Sequence, residues 1–163
     1  NALKKYLTDS NSHILDIGCG TGLSGQEILN VGFKNVDGTD FSDKMLYEAK
    51  KKSIYKRLFN LDLNSNFYNV NFNYNAIVAA GIISPHHANP SCLEKCLNIL
   101  CDSGLLIFSL NDHAVENKNF MDEIFMIVDK NFEILEKTYG DHLPGIKLNS
   151  FVYVIKKLKI KKY

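Results

Sequence analysis

Ile14-Leu15-Asp16-Ile17-Gly18-Cys19-Gly20-Thr21-Gly22 decides the fold. Its first half is an apolar run, His13–Ile17, that reads as a buried strand ending at Gly18. Its second half is a glycine turn that lets backbone approach a ligand closely. Leu23–Val31 then reads as a helix closed by Gly32. Working outward, Val36–Asp40 is a second strand, Ser42 caps a helix through Lys52, and Tyr55–Leu61 is a third strand. Asn75–Ala80 is a fourth, followed by a loop holding Pro85, His86 and His87. Asn89 and Pro90 open the next helix as N-cap and first residue. Cys92, Leu93, Cys96, Leu97 and Leu100 fall on one face of it.

Asp102-Ser103-Gly104 turns into a fifth strand, Leu105–Leu110, and Phe120–Asp129 is a further amphipathic helix. Phe132–Thr138 and Phe151–Lys156 have only a loop between them, which suits an antiparallel pair. Strand–helix alternation predicts an α/β domain: a single-domain, doubly wound, mostly parallel sheet with that antiparallel pair at its C-terminal end.

The 163 residues suit one domain spanning 1–163. A chain that is 45% hydrophobic and 23% charged has ordinary globular composition, and a net charge of +1 predicts no general attraction to nucleic acid or anionic membrane. No apolar run is long enough to span a bilayer, and no signal-peptide pattern opens the chain. The first residue is Asn1 rather than Met, so natural sequence is expected upstream, with Ala2–Leu7 the end of a helix begun there. Cys19, Cys92, Cys96 and Cys101 form neither a disulfide framework nor a metal-ligand pattern, which predicts no metal and a reducing, cytoplasmic compartment. Lys156–Lys162 alternates like a strand end and lacks interleaved aromatics, so it reads as a solvated tail rather than an RNA-binding arm.

Ligands of doubly wound sheets bind beyond the carboxyl ends of the strands, where the strand order reverses. The glycine turn lies there, and its N–H groups and helix N-terminus suit a ligand carboxylate. About twenty residues further on, Asp40 ends the second strand, where it can accept both hydroxyls of an unphosphorylated ribose. Gly20-Thr21-Gly22-Leu23-Ser24-Gly25 formally fits the dinucleotide fingerprint GxGxxG. Two details argue against NAD. Gly18 already takes the place directly after the strand, and Leu23 stands where the third glycine would. Asp16, besides, ends a buried apolar strand with no partner in the motif, and a buried carboxylate is costly alone. A cationic ligand supplies the partner, and S-adenosylmethionine (SAM) carries both an ammonium and a sulfonium. Gly25 then reads as a helix residue kept small for packing on the sheet.

Leu15–Gly22 resembles motif I of the class I SAM-dependent methyltransferases, and Gly38–Leu46 resembles their second motif with its ribose-binding acid. Asp62-Leu63 resembles the adenine-contacting pair. Leu105–Leu110 resembles the fifth-strand motif, with the usual Pro-Gly-Gly reduced to Asp102-Ser103-Gly104. Tyr55-Lys56-Arg57-Leu58 and Leu143-Pro144-Gly145-Ile146 are similar to a narrower group, the methyltransferase-like proteins of the Williams–Beuren region type. The resemblance implies a Rossmann-like fold, SAM as cofactor and S-adenosylhomocysteine (SAH) as product. It implies that Gly18, Cys19, Gly20 and Gly22 wrap the methionine part and Asp16 helps hold its amino end. Asp40 would bind the ribose, Phe41 and Met45 the adenine face, and Asp62 and Leu63 the adenine edge. Gly81 and Ile82 would line the floor near the sulfonium. Taken singly, Asp40 and Asp62 also suit a cap or turn, and Phe41 and Met45 a core.

Methyl transfer is an in-line displacement, and a base is needed only for a protonated acceptor. His86 and His87 are the candidate bases, with ordinary loop hydrogen bonding as the alternative. Tyr139 and His142, in the loop of the last strand pair, are further acceptor-pocket candidates. Gly81-Ile82-Ile83-Ser84-Pro85 stands where methyltransferases of nucleobase or glutamine nitrogens carry Asn/Asp-Pro-Pro-Tyr/Phe, which argues against those acceptors. The expected acceptor is an oxygen, nitrogen or carbon of a small molecule, with a protein side chain as the second class and nucleic acid and membrane outside the expectation. A SAM-binding protein without catalysis and an NAD-dependent oxidoreductase are the rival readings.

Overall fold

A computed structural model of the protein describes residues 2–65, 73–143 and 148–159, with 141–143 and 148 described in backbone only. After a short helix α1 (Ala2–Tyr6), the chain runs β1 (His13–Ile17), α2 (Leu23–Asn30), β2 (Asn35–Asp40), α3 (Asp43–Lys51), β3 (Leu58–Asn60) and β4 (Tyr74–Ala79). Then follow α4 (Cys92–Ile99), β5 (Leu100–Asn111), α5 (Asp112–Glu116), α6 (Lys118–Asn131), β6 (Phe132–Leu143) and β7 (Leu148–Lys157).

The strands form one seven-stranded sheet in the order β3-β2-β1-β4-β5-β7-β6. β1 to β5 pair in parallel, while β7 is antiparallel to both neighbours. The order reverses between β1 and β4, so the loops after those two strands part there and leave a crevice.

Successive side chains alternate between faces, and two cores result. Leu15, Ile17, Ile77, Leu106 and Phe108 pack on one face against α4 and α6. Ile14, Val36, Ala76, Leu105 and Ile107 pack on the other with Leu3 of α1, Ile28 of α2 and Phe33. The register Leu15↔Asp37 and Asp16↔Gly38 therefore places Asp37 on the first face and Asp16 on the second.

Several boundaries differ from those expected. Asn89 and Pro90 do not cap and open α4. Their carbonyls accept from the N–H groups of Cys92 and Leu93 in a lead-in turn, and the helix starts at Cys92. Asp102-Ser103-Gly104 is a bulge inside β5 rather than a turn before it, because pairing jumps from Tyr74↔Leu100 to Ala76↔Leu105, with Ser103 at φ 61°. The third strand keeps only Leu58–Asn60, and Tyr55 is instead drawn against glycines of α2 and β2. β6 and β7 extend well past their expected ends, so Tyr139 lies in a strand and its hydroxyl donates to Asp112 at 3.0 Å. The His142 side chain and residues 144–147 lie outside the described residues, as do 160–163 of the basic end. Lys157 is no part of a solvated tail. Its Nζ donates to the carbonyls of Leu97 at 2.6 Å and Leu100 at 2.8 Å, closing the C-terminus of α4.

Candidate active site

A cavity of about 390 Å³ opens at the carboxyl ends of β1, β2, β3 and β4. Gly18 contributes from the loop after β1, Asp40 from the end of β2 with Phe41 just beyond it, and Leu61, Asp62, Leu63 and Asn64 from the segment after β3. Ile82, His86, His87 and Ala88 come from the loop after β4.

Two glycines of the loop after β1 do different work. Gly18, at φ +65°, leaves no room for a side chain, since a Cβ there would stand 2.4 Å from Ile82. Gly20, at φ +53°, has nothing within 4 Å of its Cβ position, so the loop keeps open space at its crest. That bare backbone meets the requirement for a closely approaching ligand.

Asp40 is held from two directions. Its Oδ2 accepts from the Gly20 N–H at 2.9 Å and its Oδ1 from the Ser42 N–H at 2.9 Å. Each oxygen keeps acceptor capacity toward the cavity. Ser42 caps α3 as expected, accepting from the Met45 N–H at 3.4 Å. Phe41 is 74% exposed and Met45 43% exposed, so neither is a core residue here.

Asp62 is both a turn acid and a cavity residue: its Oδ1 accepts from the Asn64 N–H at 2.8 Å. Asn64 then straps two loops together. Its Nδ2 donates to the His87 carbonyl at 3.0 Å and its Oδ1 accepts from the Asn89 N–H at 3.1 Å. His86 and His87 thus sit on a turn tied to the segment after β3, with the His87 N–H donating to the Ser84 carbonyl at 3.1 Å.

Asp16, Cys19, Gly20, Gly22, Met45 and Gly81 lie outside the cavity lining. Gly81 instead donates its N–H to Ser109 Oγ at 2.8 Å. Burial pushes the Cys19 thiol up to about 12, with Asp16 and Asp40 adding to the rise, so it is not a thiolate nucleophile near neutrality. Asp16 corrects the expectation most clearly. It is fully buried, yet it has partners: the hydroxyls of Ser24 and Tyr55 both donate to its Oδ2 at 2.6 Å. Ser24 stands two residues past the glycine turn, as the second residue of α2, and Tyr55 was hidden in what read as a strand. Gly25 is likewise small for the Tyr55 hydroxyl, which a Cβ would approach to 2.3 Å, rather than for the sheet. Asn64 carried no signal beyond its place two residues after Asp62.

Residues 14–104 match the sequence profile of the methyltransferase domain family, which is more than half of the chain. The chain belongs to this methyltransferase family. Its cofactor is SAM and its product SAH, which sets the dinucleotide reading aside. The chain is similar to human methyltransferase-like protein 27, with 44% identity over 45 residues, 28% of this chain and 18% of that protein. The match thus spans under a fifth of that curated relative. Among solved structures, a SAM-dependent methyltransferase from Methanosarcina mazei superposes with TM-score 0.76 at 16% identity, covering 98% of each chain. The N-methyltransferase NodS from Bradyrhizobium japonicum, in complex with SAH, superposes with TM-score 0.70 at 12% identity, covering 91% of this chain and 79% of that one. These likenesses confirm the doubly wound architecture with its terminal antiparallel strands. The site suits the family's cofactor: the open glycine crest at Gly20 is hydrogen-bonded to Asp40, the doubly held carboxylate that lines the cavity one strand away.

Proposed function

We propose that the domain transfers the methyl group of SAM to an oxygen, nitrogen or carbon nucleophile of a small molecule. The observation that carries this reading is Asp40. Two backbone N–H groups fix its oxygens at the cavity edge, as a ribose-binding carboxylate requires. SAM supplies an already activated leaving group, so the chain's residues need mainly to orient and to exclude water.

In this reading Gly18, Cys19, Gly20 and Gly22 surround the methionine part and Asp16 acts from beneath them. Asp40 accepts the ribose hydroxyls, while Asp62 and Leu63 meet the adenine edge. Phe41 and Met45 cover its face, a use supported by their exposure. Gly81 and Ile82 form the floor. His86 and His87 are the available bases for a protonated acceptor, supported by their place on the cavity wall. The Gly81–Pro85 segment supports a small-molecule acceptor over nucleobase or glutamine nitrogen, with a protein side chain as the second class. Four cysteines without a disulfide support a cytoplasmic location. Tyr55-Lys56-Arg57-Leu58, leading into Asp62-Leu63, favours the methyltransferase-like subgroup, and the cysteine spacing favours a reaction without a metal.

Calorimetry with SAH tests the cofactor site. Wild-type protein binds, and Asp40→Ala weakens binding by about 1.5–3 kcal/mol, the scale of hydrogen bonds to a charged group. Transfer of label from methyl-labelled SAM into a small-molecule fraction tests the reaction. Tight SAH binding without any label transfer across a broad acceptor panel would leave a binding protein instead.

A further inference from the structure

Below the glycine loop lies a side-chain cluster that methyl transfer does not require as such. Tyr55, in the lead into β3, rests against glycines of three elements. A Cβ at Gly25 of α2 would stand 2.3 Å from its hydroxyl, one at Gly38 of β2 2.9 Å from its ring, and one at Gly22 of the loop 3.3 Å from its ring. From this notch its hydroxyl reaches Asp16 Oδ2 at 2.6 Å, beside Ser24 Oγ at the same distance. Asp16 Oδ1 is buried and has no hydrogen-bond partner among the described residues.

We infer that Tyr55 is a positioning residue for donor binding: it fixes the Asp16 carboxylate under the Gly18–Gly22 loop and stabilises its charged form. A phenylalanine ring would fill the notch equally well. The hydroxyl is what the acid uses. The inference rests on the methyltransferase reading, because the donor's cationic end is what a charged Asp16 would attract through the loop.

Burial pushes the Asp16 carboxyl up to about 6, against the pull of the Ser24 and Tyr55 hydroxyls and the Gly25 N–H. The groups facing it are Asp40 of β2, Cys19 of the loop and Tyr55 itself. The Asp40 charge raises Asp16 further. Burial drives the Cys19 thiol and the Tyr55 phenol upward, with Asp16 adding to both, so neither loses its proton near neutrality. Asp16 is therefore the member of this cluster that changes charge as pH passes about 6.

SAH is the probe, since it keeps the ammonium and lacks the sulfonium. Calorimetric titration of the wild type between pH 5 and 7.5 is expected to show affinity falling as pH drops through about 6. Tyr55→Phe removes one donor to the ionised acid and moves that fall up by about one pH unit, a loss of about threefold midway between the two midpoints that approaches about tenfold below both. Ser24→Ala, which leaves the notch untouched, moves it in the same direction. Thermal unfolding without ligand establishes that both variants are folded. A uniform affinity loss at every pH, or profiles identical to wild type, would overturn the role of Tyr55 while leaving the methyltransferase reading intact. No SAH binding by the wild type at any pH would overturn both.

Discussion

Asp16 and Asp37 stand on adjacent strands, both fully buried, and the chain surrounds them in opposite ways. Asp37 faces the α4–α6 side of the sheet, and its Oδ2 accepts from Arg57, from Tyr74 at 3.0 Å and from His13 at 2.8 Å. Burial alone would raise its pKa, but Arg57, Tyr74 and His13 more than offset that and hold it below the usual carboxylate range. Asp16, on the other face, is met by neutral donors in place of a cation, and burial raises its pKa to about 6. A buried acid neutralised by the chain's own cation contributes to the fold. One left with hydroxyls is a standing cost, kept where a cationic ligand binds.

The pH dependences have opposite signs. The contribution of Asp37 is present above about pH 4, the ordinary carboxyl value, and is lost as pH falls through its depressed native pKa. The burden of Asp16 is present above about 6 and disappears as pH falls from there toward about 4.

Three tests break or sharpen the contrast. Asp37→Ala leaves Arg57 and His13 facing an emptied site and is expected to lower stability by about 3 kcal/mol in urea unfolding at pH 7. A change under about 1 kcal/mol would show that the ionic cluster is ornamental to the fold. Gly25→Ala forces the Tyr55 hydroxyl away and costs about 2 kcal/mol, whereas Gly25→Ala with Tyr55→Ala costs no more than Tyr55→Ala alone. Simple additivity of the two losses would break the notch argument. Asp16→Asn is the smallest effect and has the opposite sign. Removing the buried charge is worth up to about 3 kcal/mol at pH 8, and the amide's unmatched N–H groups take back part of it. Ligand-free protein should then gain about 1 kcal/mol at pH 8 and nothing at pH 5. Lower stability at pH 8 would mean that Asp16 serves the fold as Asp37 does.

The sheet was legible because its signals are local. Apolar runs ending in Gly18, Asp40 and Asp62 mark the carboxyl ends of three parallel strands, and the cavity forms there. Capping at Ser42 followed from its own side chain. What stayed hidden depends on residues distant in sequence and close in space. Asp16 looked partnerless because Tyr55 lies 39 residues away. The β5 bulge looked like a turn because Ser103-Gly104 suits either, and only pairing with β4 separates them. The Asn64 strap depends on where the loop after β4 folds back, which no periodicity encodes.

The notch that seats Tyr55 also constrains how this sequence can drift. An alanine at position 25 is blocked while tyrosine remains at 55, and one at position 38 meets the same ring. The three sites therefore form an epistatic set in which the aromatic must shrink before either neighbour grows. Relatives that retain tyrosine there should carry glycine at both partner positions, and lineages that lost it should show the glycines relaxing afterwards.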